Sequence, residues 1–394
     1  MTKKLAIVTT HPIQYYAPLF KLLAQQIELT VFYTWGEASI SKYDPGFGKK
    51  VEWDIPLLDG YHYHFLENSS KNPGSHGYSG VINPEIISTL ENYSPSYILV
   101  IGWCYNSHLK VMRHFKGKVP IYFRGDSTLL DNVIQGGIGN IKLIIRKLVL
   151  KWVYSHVNKV FYVGSASKEY FTWAGLKERQ LVFAPHSIDN HRFDFDKAEA
   201  SSAIRHSLNI PESATVILYA GKLEPKKNPM LLVTAFNEIA LENHYLIILG
   251  NGILESELKD VAEKGKNGNH IIFVGFQNQS LMSTWYRVSD IFCLPSQGPG
   301  ETWGLAINEA MVCGNAIIAS NKVGCATDLI RHNENGWVFE SGNKNELKRI
   351  IQNLPNKNEL KGMGQRSQMI IKDWSIERTV EKMMVEFNDD FIND

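Results

Sequence analysis

The chain has 394 residues, 44% of them hydrophobic, which exceeds a usual single core and suffices to build two. Its 41 basic and 40 acidic side chains leave a formal net charge of +1, so nothing global points to nucleic acid. The N-terminus lacks a signal-peptide pattern and no window approaches the ~18 continuous apolar residues of a membrane span; Cys104, Cys293, Cys313 and Cys325 show no paired spacing, so a reduced, cytoplasmic chain is expected.

In chain order, Leu5-Ala-Ile-Val-Thr9 is a buried strand, and Tyr16 to Gln26 reads as a helix with Leu19, Phe20, Leu22 and Leu23 on its apolar face. Residues 29–33, 97–101, 119–123 and 159–163 read as further strands, so the first half is predicted to be an α/β sheet domain of its own. Segment 36–80 is rich in Gly, Ser, Pro, Tyr and His, has little periodicity, and reads as loops with a short strand or two. The stretch Lys142-Leu-Ile-Ile-Arg146-Lys147-Leu-Val-Leu-Lys151-Trp152-Val-Tyr154 combines cations with a large apolar share. On a helix, Lys142, Arg146 and Lys147 fall on neighbouring positions while Leu143, Ile144, Leu148 and Trp152 share another face. Two readings fit: a core helix with snorkelling cations, or peripheral contact of 141–154 with an anionic membrane. Around Asp189 to Ser202 the chain turns polar, which marks a linker. The expected domains are 1–195 with 376–394, and 196–375.

The second half opens on Thr215-Val-Ile-Leu-Tyr-Ala-Gly221-Lys222-Leu-Glu-Pro225-Lys226-Lys227-Asn228-Pro229. A strand runs into Gly221, and Asn228-Pro229 reads as an N-cap followed by a proline at the first helical position. Lys222, Lys226 and Lys227 at the carboxyl end of a strand suit a diphosphate, whose charge they neutralise as it becomes a leaving group. Further on, the apolar run Asp290-Ile-Phe-Cys-Leu-Pro295 precedes Pro299-Gly300-Glu301-Thr302-Trp303-Gly304-Leu305-Ala-Ile-Asn-Glu309-Ala-Met311, and the helical pattern breaks at Gly314. With a helix starting near Trp303, Glu309 lies about 9 Å along its axis. The free N–H groups of residues 303 to 305 then offer an anion site, which Gly300 and Gly304 let a ligand approach closely. Glu309 can accept both hydroxyls of a ribose and Glu301 those of a sugar beyond the phosphates.

These pieces together resemble the family 4 retaining glycosyltransferases of the GT-B fold. Gly221-Lys222-Leu with Lys227, and the two glutamates eight residues apart, carry the resemblance. It continues through Leu246-Ile-Ile-Leu-Gly250-Asn-Gly252, Phe273-Val-Gly275-Phe276, Ala310-Met311 with Gly314, Ala316-Ile-Ile-Ala-Ser320, Asn335-Gly336-Trp-Val-Phe339 and Trp374-Ser375. The resemblance implies an α/β chain of two Rossmann-like domains facing across a cleft, with a C-terminal helix from Ile376 crossing back to the first. By resemblance, Lys222 and Lys227 contact the donor diphosphate beside Gly221, Glu301 with residues 302 to 305 holds the sugar, Glu309 holds the ribose, and Gly275 and Phe276 form the base-binding turn. The implied reaction moves a sugar from a nucleoside diphosphate sugar, UDP first and GDP next, to a hydroxyl of a saccharide or lipid-linked saccharide. No enzyme nucleophile is visible, so a front-face reaction that retains configuration is expected, with no cofactor or metal required. A nucleotide-sugar epimerase of the same fold and a non-catalytic sugar-nucleotide-binding subunit are the alternatives.

The first domain departs from the family. Thr10-His11-Pro12-Ile13-Gln14-Tyr15 replaces the glycine-rich loop of many relatives, leaving His11 and Gln14 as donor or acceptor contacts or as structural groups. In Arg124-Gly125-Asp126-Ser127, Asp126 occupies the place of the family's histidine, where it accepts a sugar hydroxyl, orients the acceptor, or caps a loop. Pro185-His186-Ser-Ile-Asp189, followed by Asn190 and His191, resembles the turn that ends the first domain, with Asp189 a hinge cap. Three other motifs fail on context. Asp194-Phe195-Asp196 has D-x-D spacing but lies among linker charges; Gly250-Asn-Gly252 lacks the third glycine of a dinucleotide fingerprint; His62 and His64 have no evident third zinc ligand.

Overall fold

The computed structural model describes residues 3–40, 43–44, 49–50, 53–75, 77–131, 138–195, 197–239 and 242–388. The chain divides into two compact units, Met1–Lys42 with Pro56–His186 and Ile376–Asp394, and Tyr43–Ile55 with Ser187–Ser375. The passage between them falls at His186 and Ser187.

The first unit begins β1 (Lys4–Thr9), α1 (Ala17–Leu23), β2 (Glu28–Tyr33). The excursion that belongs to the second unit holds the antiparallel pair β3 (Tyr43–Asp44) and β4 (Lys49–Lys50). The first unit resumes with β5 (His62–Phe65), α2 (Ile86–Tyr93), β6 (Tyr97–Ile101), α3 (Asn106–Phe115) and β7 (Ile121–Gly125). It continues through α4 (Ile138–Tyr154), β8 (Lys159–Tyr162), α5 (Ser165–Trp173) and β9 (Leu181–Phe183). Among the described residues these strands form one parallel sheet in the order β5-β2-β1-β6-β7-β8-β9. Helices cover both faces, so the central strands are buried and almost wholly apolar.

The second unit runs α6 (Asn190–Phe193), α7 (Ala198–Ser207), β10 (Thr215–Ala220), α8 (Pro229–Asn237), β11 (His244–Leu249), α9 (Glu255–Glu263), β12 (Ile271–Val274) and α10 (Gln279–Val288). There follow β13 (Ile291–Leu294), α11 (Leu305–Val312), β14 (Ala316–Ser320), α12 (Ala326–Leu329), β15 (Gly336–Phe339), α13 (Lys344–Gln352) and α14 (Lys357–Ile371). Its parallel sheet has the order β12-β11-β10-β13-β14-β15. The last helix, α15 (Ile376–Asn388), returns to the first unit, where Ile376, Val380, Met383 and Phe387 join a core with Leu5, Phe20, Leu23 and Tyr122.

In both sheets the strand order reverses at one point. The chain builds outward from β1 through β2 to β5, then starts again beside β1 at β6; likewise it builds from β10 to β12 and restarts beside β10 at β13. Loops leaving such a pair part to opposite faces and open a crevice at the carboxyl ends of the strands.

Several boundaries differ from the sequence reading. The segment taken for a linker is largely helical, α6 and α7, because Asp189 caps the first helix by accepting from the Arg192 N–H at 3.4 Å and α7 packs its length on α10. The strand read at 119–123 starts at Ile121, after Pro120, and runs on to Gly125; the helix read at 16–26 is α1, 17–23. The four cysteines are free, and burial pushes the Cys313 thiol up to about 12.

Candidate functional site

The crevice between β10 and β13 is lined by the two loops that the sequence marks. After β10 the chain passes Gly221 and Lys222, makes one tight helical turn over Pro225–Lys227, and enters α8 at Pro229. Asn228 precedes that proline as expected, but its side chain caps nothing; it supplies a left-handed backbone at φ 52°, which asparagine tolerates. The Tyr219 hydroxyl donates to the Lys222 carbonyl at 2.7 Å and fixes the start of the loop. Burial, with Glu301 and Glu224 nearby, pushes that phenol well above its ordinary value, so it stays a donor.

The loop after β13 is tied to the basic loop by Gln297. Its backbone N–H donates to the Lys226 carbonyl at 2.9 Å and its side-chain amide to the Pro225 carbonyl at 2.8 Å. Gly300 and Gly304 both take positive φ, 86° and 96°, and a Cβ on Gly304 would meet Val323 at 2.8 Å. Only glycine serves there without strain.

Glu301 and Lys227, assigned by resemblance to the sugar and to the diphosphate beside it, face each other. The Lys227 Nζ lies 2.6 Å from Glu301 Oε2, with the glutamate side chain 6% exposed and the lysine 20%. The Ser296 hydroxyl donates to the same carboxylate oxygen at 2.9 Å. Lys222 and Lys226 are half-buried on the same loop. The result is one buried carboxylate paired with a lysine of the basic loop, after β13 and before the start of α11.

That helix starts at Leu305, with Gly304 as its N-cap, two residues beyond Trp303. The Ile307 N–H donates to the Gly304 carbonyl at 2.9 Å, so the N–H groups that the helix itself leaves over are those of Leu305 and Ala306, and Glu309 sits about 6 Å along the axis instead of 9 Å. Glu309 is almost fully buried and accepts a 2.7 Å hydrogen bond from the Tyr286 hydroxyl of α10. Trp303 lies on the loop just before this helix. Its indole is buried, donates to Asn308 Oδ1 at 2.9 Å and packs on Trp374, while its carbonyl accepts from the Cys325 N–H, so it braces the loop. Thr302 beside it closes against Gly324, where a Cβ would meet the Thr302 carbonyl at 1.8 Å.

Beyond β12, Gly275 is exposed and the Phe276 N–H donates to Asn251 Oδ1 at 2.7 Å. Asn251 in turn donates to Glu255 at 2.9 Å, and the Phe276 ring faces Trp53 at 6.5 Å. The backbone between these turns is tight: a Cβ on Gly250 would lie 2.0 Å from the Gly221 carbonyl oxygen.

In the first unit, His11 follows β1 at the other reversal point. Its ring meets Trp35 edge-on at 5.4 Å and its Nδ1 bonds the Thr10 hydroxyl at 2.8 Å; Gln14 is half-buried in the same loop. Asp126 follows β7, two strands away. The sequence reading overlooked what surrounds it. Arg124 is buried, donates to the Ala184 and Pro185 carbonyls at 2.9 Å each, and stands in the field of Tyr16 and Asp126. Burial holds the His186 imidazole down to about 4, against an upward pull from Asp126 and with Arg124 adding to the depression.

Tyr219, Tyr286, Ser296 and Gln297 were missed as well. Ser296 and Gln297 carry a sequence signal, being polar residues directly at a strand end; Tyr286 carries none, because it reaches Glu309 across 23 positions. Asp196 lies outside the described residues. Among the described residues no three His, Cys, Asp or Glu side chains gather as metal ligands.

Residues 201–369 match the family described as glycosyl transferases group 1. The lipopolysaccharide 1,2-N-acetylglucosaminetransferase of Salmonella typhimurium is 34% identical over 158 residues, which are 37% of this chain and 41% of that protein. The chain thus spans about two fifths of that curated relative's length. Anabaena HepE, solved with UDP and glucose, has a TM-score of 0.72 at 16% identity over 98% of this chain and 99% of its own. A glycosyltransferase of Rickettsia africae has a TM-score of 0.71 at 15% identity over the whole of both chains. These likenesses show the fold, two parallel-sheet α/β domains of the GT-B type.

Proposed function

We propose that the chain, whose residues 201–369 match the group 1 glycosyl transferases, transfers a sugar from a nucleoside diphosphate sugar to a hydroxyl acceptor with retention of configuration. The observation that carries this reading is the crevice between β10 and β13, where the loop bearing Lys222 and Lys227 meets the buried Glu301 through the Lys227 ion pair and α11 begins four residues further on. Cations and free N–H groups suit a diphosphate; a carboxylate beside them suits sugar hydroxyls; Glu309, oriented by Tyr286, suits ribose hydroxyls. UDP is the favoured donor and GDP the next, with Gly275 and Phe276 at the base. The HepE structure with UDP and glucose supports UDP by analogy of fold.

In the reaction the bond from the anomeric carbon to the leaving phosphate oxygen breaks and a bond to the acceptor oxygen forms on the same face. A phosphate oxygen of the departing diphosphate takes the acceptor's proton. Lys222, Lys227 and the α11 N-terminus stabilise the charge that develops, the work a metal ion would otherwise do. Asp126, with His11 and Gln14, is assigned to the acceptor side. The acceptor is a saccharide or lipid-linked saccharide of surface polysaccharide or glycoconjugate synthesis, a class the Salmonella relative's name supports. Such an acceptor would be met at the inner face of a membrane, with peripheral contact through residues 141–154.

Lys222→Ala and Glu301→Ala are each expected to lower turnover at least about tenfold, equivalent to about 1.4 kcal/mol of barrier. Rates near wild type in both, measured over a panel of nucleoside diphosphate sugars with product analysis in the presence and absence of acceptor, would overturn the assignment.

A further inference from the structure

We propose that the outward face of α4 is a docking surface for an anionic lipid bilayer. The proposal gives the peripheral contact of 141–154 its geometry, and it stands whether or not the second unit transfers sugar. The helix joins the first unit through Leu150, Val153 and Tyr154, which are buried in a core with Met112, Phe123 and Phe171. At about 100° per residue, the side opposite those three carries Ile141, Ile144, Ile145, Leu148, Val149 and Trp152. All six are exposed, between 45% for Val149 and 62% for Leu148. They form a continuous apolar stripe about 16 Å long. A monomer in water gains nothing from such a stripe.

The cations decide what covers it. Lys142 and Arg146 flank one edge of the stripe, Lys147 and Lys151 the other, and α4 contains no acid. This corrects the grouping read from the sequence, which set Lys142, Arg146 and Lys147 together and gave Leu143 to the apolar face; Leu143 is half-buried on the inner side. The cations lean on aromatic rings, Arg146 over Tyr170 at 5.9 Å and Lys147 over Trp173 at 5.8 Å. Arg113 of α3 stands over the Trp152 ring at 6.0 Å and adds a further positive group. An apolar strip bordered on both sides by ammonium and guanidinium groups fits a helix lying in the plane of a bilayer, its stripe among acyl chains and its flanks at the phosphates. With 17 residues and four cations it does not span a bilayer, and no helix among the described residues is long and apolar enough to do so. A second copy of this chain is the poorer occupant, since a two-fold contact would set the four cations of one α4 against the four of the other.

The test is co-sedimentation of the full chain with vesicles of phosphatidylcholine alone or mixed with phosphatidylglycerol. Binding is expected to the anionic vesicles only, and to weaken as salt is raised. Ile144→Ser with Leu148→Ser should lower the partition coefficient at least about tenfold. Lys147→Glu with Lys151→Glu should do the same at low salt. All four positions are exposed, so melting temperatures should match wild type and separate lost docking from lost fold. Equal binding to neutral vesicles, or undiminished binding by either double variant, overturns the proposal. So does the absence of binding to the anionic vesicles at low salt; a dimer, seen by sedimentation velocity, that Ile144→Ser with Leu148→Ser dissolves would then name a second copy as the occupant.

Discussion

Lys227 and Glu301 illustrate how one contact joins stability to function at the scale of a residue. The pair is buried and close, and Ser296 supplies a further hydrogen bond to the carboxylate. Lys227→Ala leaves a carboxylate without its cation in a dry site, which costs about 3 kcal/mol or more in stability. Urea unfolding of the variant should show that loss, whereas Lys222→Ala, at a half-buried position of the same loop, should lower turnover with a change below about 1 kcal/mol. If Lys227→Ala unfolds at the wild-type midpoint, the pair does not hold the loop. The residue types at 222, 227, 301 and 309 were legible in sequence because each pair is spaced by eight residues or fewer along one loop or one loop-to-helix junction. Their partners Tyr286 and Ser296 were not all so, since the side chain that meets Glu309 is chosen by the docking of α10 on α11.

At the scale of elements, α11 is held where it presents its first turn by α14, which lies against it. Gly364 of α14 touches the turn that ends α11 so closely that a Cβ would sit 1.8 Å from the Gly314 carbonyl oxygen. Gly364→Ala must push the two helices apart, and a loss of about 3 kcal/mol in unfolding free energy is expected, with weaker binding of a nucleoside diphosphate in a thermal-shift titration. An unchanged melting temperature would mean that α14 does not set the position of α11. The sequence marked Gly314 as a helix stop but could not show that a glycine fifty positions later is its neighbour. The same limit applies to α4. Its apolar residues surround most of the helix, so composition left open which ones face the core, and only the packing of Leu150, Val153 and Tyr154 selects the stripe that remains outside.

For the molecule as a whole, acid should weaken the first unit. Burial holds His108 down to about 4, with its Nδ1 at 2.6 Å from the Gly102 carbonyl and its Nε2 at 2.8 Å from the Thr34 hydroxyl; His186 is depressed to about the same value. Both folded values lie below the ~6.5 of an unfolded histidine, so the unfolded chain binds more protons between about pH 4 and 6.5. The stability these groups confer is fully present above about pH 6.5 and is lost as pH falls through that window, at up to about 1.4 kcal/mol per pH unit for each histidine. Denaturant unfolding from about pH 7 to about pH 5 should record the slope; a flat profile would contradict the burial of both rings. What the sequence determined alone was the alternation of strands and helices, the two sheets, and a basic loop and paired glutamates at strand ends, because each of these is written in local periodicity or in spacing of a few residues. Tertiary structure decided the rest: the strand reversal that puts those loops side by side, the pairing of Lys227 with Glu301, the tyrosine behind Glu309, and the outward face of α4. Each depends on which distant segments pack together, and burial energy summed over a whole core, not any short stretch of chain, makes that choice.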